Sequence, residues 1–191
     1  MSGMPQLGSR NQAQSALPRE FVTLLDRLPG FPAGMSSLAA PASVPAAITA
    51  LTHAGAQLYL ANAARYPLVM LHTVTGPAAL RLILPELDQA SQQAAFGYAW
   101  QSVAAWVSAF SARFAGVPPA PETTEQDVIA ACLETGDVHS IKFAEACLRE
   151  YRTNPSTVYP EAATDWARRV RESRSWARQQ RVAAGIAIRA H

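Results

Sequence analysis

TTEQDVIAACLETGDVHSIKFAEACLREYRTNP (residues 123–155) is the stretch whose punctuation decides the fold. Thr123 or Thr124 offers a hydroxyl that caps the backbone N–H groups of a helix running to about Glu134. Thr135-Gly136 stops that helix, because glycine takes the left-handed backbone of a helix end without a Cβ clash. Asp137 caps a second helix through Arg152, which ends at Asn154-Pro155. The stretch is two helices with their own start and stop signals and no room for a strand.

The same reading extends in both directions. Downstream, Ser156 begins a last helix with Pro160 in its first turn, basic from Trp166 onward (WARRVRESRSWARQQR). Upstream, GVPPAPE (116–122) is a loop, preceded by a long Ala-rich helix from about Glu86 to Phe114. Pro67 opens LVMLHTVTGPAALRLIL, an almost wholly apolar segment expected to break at Gly76-Pro77, to close at Pro85 and to lie inside the protein. Ser43 caps a helix with Pro45 in its first turn, running to about Arg65 before Tyr66-Pro67. Residues 29–45 hold four prolines and form a connector. Leu17 to Leu28 carries apolar residues at 21, 24, 25 and 28, a short amphipathic helix. No strand-like alternation exceeds four residues and no fixed period repeats. The predicted fold is all-α, a single helical domain of six to seven helices. Its parts are a disordered arm (1–16), a helical domain (17–155) and a basic C-terminal helix (156–191).

Composition narrows the function classes. The chain has 191 residues, 49% hydrophobic and only 16% charged, against about 25% in ordinary soluble domains. So few polar side chains imply a large buried or partner-covered area. A net charge of +2 is too small for a general nucleic-acid binder, and the arginine-rich last helix reads as a solvated face that docks on an acidic partner. No apolar run approaches the ~18 residues of a membrane span, and the N-terminus lacks the pattern of a signal peptide. Two cysteines, Cys132 and Cys147, suit core packing in a reducing cytoplasm and make no zinc pattern. No phosphate loop, nucleophile elbow or dinucleotide fingerprint is present.

Fifteen of the 16 basic residues are arginine, which makes Lys142 the sole lysine and suggests a task arginine cannot perform. His139 and Lys142 lie three apart, on one helix face with Phe143 and Ala146, and are therefore expected to point inward. A buried amine tends to lose its proton and can then add CO2 as a carbamate, an oxygen ligand for a metal. The competing use is an ion pair with Glu145 or Glu134. His72, between Leu71 and Thr73 in the apolar segment, is either a ligand or a buried imidazole bonded to a carbonyl or to Thr75.

LHTVTGPAALRLILPEL (71–87), YAWQSVAAW (98–106) and ETGDVHSIKFAEACLREY (134–151), in this order and spacing, resemble the C-terminal half of the questin oxidase-like family over roughly residues 44–165. The resemblance implies a helical enzyme that opens polycyclic aromatic rings such as anthraquinones. It implies a non-haem Fe(II) site acting with O2, or, in the alternative description of the family, an NADPH-dependent Baeyer–Villiger-type oxidase. Carried over by position, the metal ligands would be His72, His139 and a carboxylated Lys142, with Trp100, Trp106 and Thr75 lining the substrate pocket. Family chains are about twice this length, and their N-terminal half supplies further histidines. Residues 1–43 contain none. The expected partner is therefore a second chain that completes the site, or a second copy in a homodimer. A non-catalytic helical subunit that stabilises such an enzyme is the remaining alternative.

Overall fold

The computed structural model describes Phe31 and residues 38–110 and 123–189, with side chains up to Arg174. The predicted arm, the Leu17–Leu28 helix, most of the connector and the 116–122 loop fall outside the described residues. What is described is all-helical: α1 (Val44–Asn62), α2 (Pro67–Met70), α3 (His72–Ile83), a 3-10 turn (Leu84–Glu86), α4 (Gln89–Phe110), α5 (Glu125–Leu133), α6 (Val138–Thr153) and α7 (Val158–Arg189).

The helices start where short polar side chains reach orphan backbone donors. Ser43 Oγ accepts from Ala46 N. Thr124 and Asp127 form a reciprocal capping box at α5. Asp137 Oδ2 accepts from Ser140 N at 2.8 Å to begin α6. Between α5 and α6, Gly136 takes a φ of 55°, the left-handed turn its position requires.

Gly76-Pro77 does not break the apolar segment, contrary to expectation. The joint falls at Leu71, and α3 runs through Pro77. Pro77 has no N–H to offer the Thr73 carbonyl four residues back, and that carbonyl lies where α3 meets Gly55 of α1. Thr73 Oγ1 completes the contact, donating to Gly55 O (3.0 Å) and Met70 O (2.6 Å). Nor is the segment wholly interior: Leu68, His72, Leu82 and Ile83 are exposed. By length and mean hydropathy (1.4), Pro67–Glu86 would suffice to cross a membrane. Here it is split into α2, α3 and the turn, and its Arg81 is paired with a carboxylate.

Cross-helix contacts fix the helix directions. Thr49 meets Arg81 and Gly55 meets Thr73, so α1 and α3 are antiparallel. Thr52 meets Glu150 and Tyr59 meets Phe143, so α1 and α6 are antiparallel too. It follows that α3 and α6 run parallel. α3 packs against α1, α4 and α6, while α6 packs against α3, α5 and α7. The main core gathers Tyr59, Met70, Phe143, Tyr159 and Trp166, and a second cluster gathers Ile48, Leu80, Phe96 and Val103. The start of the basic helix thus belongs to the same core as the helices before it.

The close approach of α1 and α3 depends on Gly55 lacking a side chain. A Cβ there would lie 2.8 Å from the Thr73 carbonyl carbon, backbone that cannot swing aside. Gly55→Ala is expected to cost roughly 1–3 kcal/mol in a urea unfolding titration. Gly97→Ala in α4, where a Cβ meets nothing within 4 Å, is expected to be stabilising by about 0.5–1 kcal/mol.

Candidate functional site

A groove of about 370 Å³ lies between α3 and α4, lined by His72, Thr75, Gly76, Tyr98, Ser102 and Trp106. His72 and Thr75 reach it because they sit one turn apart on the side of α3 that faces α4. The His72 ring lies 6.4 Å from the Trp106 ring, tilted by 39°. Its Nδ1 lies 2.7 Å from Leu68 O. A carbonyl only accepts, so Nδ1 carries the hydrogen and Nε2 is left as the ring's other polar atom. A carbonyl bond is what the non-ligand reading of His72 expected, although the ring is exposed rather than buried. Tyr98, 71% exposed, stands between this groove and a second one of about 360 Å³ that holds Phe96 and Trp100. Of the three pocket residues expected from the sequence, Thr75 and Trp106 share the His72 groove and Trp100 does not.

His139 and Lys142 stand elsewhere. The expectation that both point inward is corrected: Lys142 is exposed and the His139 side chain is 41% exposed. The buried face of α6 is Ser140, Phe143, Ala144, Cys147 and Glu150, a row that leaves Lys142 on the outer side. Both rows contain Phe143, and apolar neighbours alone do not choose between them. Glu145 and Glu134, the expected ion-pair partners of Lys142, pair with Arg149 and Arg171 instead. His139 lies against the Trp166 ring at 6.2 Å, with its Nδ1 3.8 Å from Asp137 Oδ1. Because α3 and α6 are parallel, the first turns that carry His72, His139 and Lys142 point toward the same end of the bundle. They occupy different faces of it, and among the described residues no group of three His, Cys, Asp or Glu side chains is placed to hold a metal ion.

The polar cluster that the sequence reading missed is centred on Glu150, Thr52 and Tyr159, all fully buried, with Arg81 partly exposed at its edge. Arg81 Nε and the Arg81 terminal amine donate to the two oxygens of Glu150 at 2.8 and 2.7 Å. Thr52 Oγ1 donates to Glu150 Oε2 at 3.0 Å and lies 3.1 Å from Tyr159 Oη. Burial is the main cause that pushes the Tyr159 phenol up from its ordinary value. The available signal was an arginine in an otherwise apolar segment, which has to find a carboxylate.

A second junction links α1 and α7, where Tyr59 Oη donates to Asp165 Oδ2 at 3.0 Å. Burial, then Asp165, pushes this phenol up. Of the arginines in the last helix, the four with described side chains make contacts within the chain: Arg168 and Arg169 with Asp165, Arg171 with Glu134, and Arg174 with the Thr135 carbonyl. Both cysteines are buried and unlinked, and burial raises the Cys132 thiol to about 11, as inert core thiols require.

Compared with family models, characterised proteins and solved structures, the chain matches none of them.

Asp137 joins the cap of α6 to Trp166, whose indole N–H donates to Ser140 Oγ at 3.0 Å. Burial raises the Asp137 carboxyl, but the Ser140 N–H and hydroxyl, the Trp166 N–H and His139 together bring it below its usual value. A carboxyl lowered in the folded state stabilises above its unfolded value, near pH 4, and loses that contribution as pH falls through the folded value. Asp137→Ala should therefore cost about 1 kcal/mol at pH 7 and flatten the acid dependence below about pH 4. Urea midpoints at neutral and acid pH check both.

Proposed function

We propose that the chain is one subunit of a two-chain oxidoreductase that acts on a flat polycyclic aromatic compound, with the His72–Trp106 groove forming one wall of the substrate site. The family identification rests on the sequence resemblance. The observation that supports a binding role is the open aromatic groove beside an imidazole whose Nδ1 is already committed to Leu68 O. Trp106 offers a face for a planar ring, and His72 Nε2 offers an acceptor for a ring hydroxyl.

Fe(II) and O2, which the resemblance implies, require a second chain. That chain would have to cover the end of the bundle carrying His72, His139 and Lys142 and supply the missing ligands. NADPH has no assigned residues in this reading. A cytoplasmic setting goes with two unlinked buried cysteines. The exposure of Lys142 favours a second reading, in which the chain is a non-catalytic helical subunit that stabilises the enzyme and its three candidates bind no metal.

Metal analysis of the protein purified alone and with its co-purifying partner separates the two. The first reading predicts about one iron per complex, lost in Lys142→Arg and absent from the isolated chain. A stable complex free of iron sinks it and leaves the second. Independently, an anthraquinone probe should quench tryptophan fluorescence, and Trp106→Ala should weaken its binding at least about tenfold.

A further inference from the structure

Half of the eight large apolar side chains exposed among the described residues stand on two consecutive helices. They are Ile129 (42% exposed) and Leu133 (60%) on α5, and Val138 (54%) and Ile141 (48%) on α6. Ile129, Leu133 and Ile141 line a groove of about 360 Å³ between α5 and α6, on a different pair of helices from the His72 groove. Exposed apolar side chains lining a groove, on a chain this poor in charge, mark an interaction surface.

We infer that this face pairs with the same face of a second copy, α6 against α6 in antiparallel array about a twofold axis. The argument is charge complementarity. The exposed side of α6 carries Lys142, Glu145 and Arg152, and Lys142 has no ion-pair partner among the described residues. When two copies cross antiparallel at the height of Phe143 and Ala144, Lys142 of each copy faces Glu145 of the other, twice over. The Glu134 end of one copy then approaches the last turn of the other, where Arg152, ion-paired with Glu125 of its own chain, stands 63% exposed. Opposed helix dipoles favour the same orientation. Leu133 and Ile141 of each copy are the knobs nearest the partner's groove. A twofold contact of this kind is closed and self-complementary, so it stops at a dimer. It leaves the His72 groove open, and because it uses Lys142 as a cation it goes with the second reading above, in which Lys142 holds no metal.

The test is sedimentation velocity and light scattering of the full chain across micromolar concentrations. The expected result is a dimer. Leu133→Asp with Ile141→Asp should weaken association at least about tenfold while circular dichroism and thermal midpoint stay those of a folded chain. Lys142→Glu sets two acidic pairs face to face and should also weaken the dimer. Adding Glu145→Lys restores opposite charges and should recover most of the loss, which a merely local effect would not do. A wild-type chain that remains monomeric overturns the inference. So does a dimer indifferent to the Asp pair, or a charge-reversed double variant no tighter than Lys142→Glu alone.

Discussion

Glu150 has no solvent exposure, and a carboxylate in that position has to be neutralised from inside the protein. Arg81 does this with two parallel hydrogen bonds, a geometry open to a guanidinium and closed to an ammonium. The remaining donors come from elsewhere: Thr52 reaches Glu150 from α1 and brings Tyr159 of α7 into the same cluster. One carboxylate cluster thus joins α6 and the following α7 to α1 and α3, which lie 98 and 69 positions earlier at their contact residues. Apolar packing alone would tolerate sliding of one smooth Ala-rich helix along another. A buried bidentate pair does not, because a shift of one residue leaves both charges unanswered.

That constraint carries through to the candidate site. With Arg81 fixed to Glu150 near the far ends of α3 and α6, and with the two helices parallel, their first turns are held at a common end of the bundle. His72 and its groove, and the His139–Trp166 contact, therefore lie toward the same end of the bundle, on different faces of it. The Thr73 carbonyl, left without a helical partner by Pro77, sets how closely α3 lies on α1 and so how His72 is turned toward α4. The fold presents separate polar groups at one end of the bundle.

Local chemistry was legible in the sequence. Ser43, Thr124 and Asp137 cap where their side chains can reach an amide two or three residues on, and Gly136 turns left-handed because the α5–α6 corner demands it. None of this needs knowledge of distant residues. The facing of α6 was not legible. Its sequence carries two overlapping helical rows, and only the contact of Phe143 with Tyr59 and of Glu150 with Arg81 selects the one that turns Lys142 outward. Glu150 itself reads as a surface charge until Arg81, 69 positions earlier, is seen to need it. The His72 groove was half legible: Thr75 follows from helix spacing, whereas Trp106 is separated from Trp100 only by which side of α4 meets α3.

A double-mutant cycle on Arg81→Met and Glu150→Gln tests most directly whether the buried pair organises the fold. Each single variant strands a buried charge or its partner and should cost about 3–5 kcal/mol in chemical unfolding. The double variant should cost clearly less than the two combined, with a coupling of about 1–3 kcal/mol. Additive losses below about 1 kcal/mol each would instead mean that apolar packing alone sets the arrangement of α1, α3, α6 and α7.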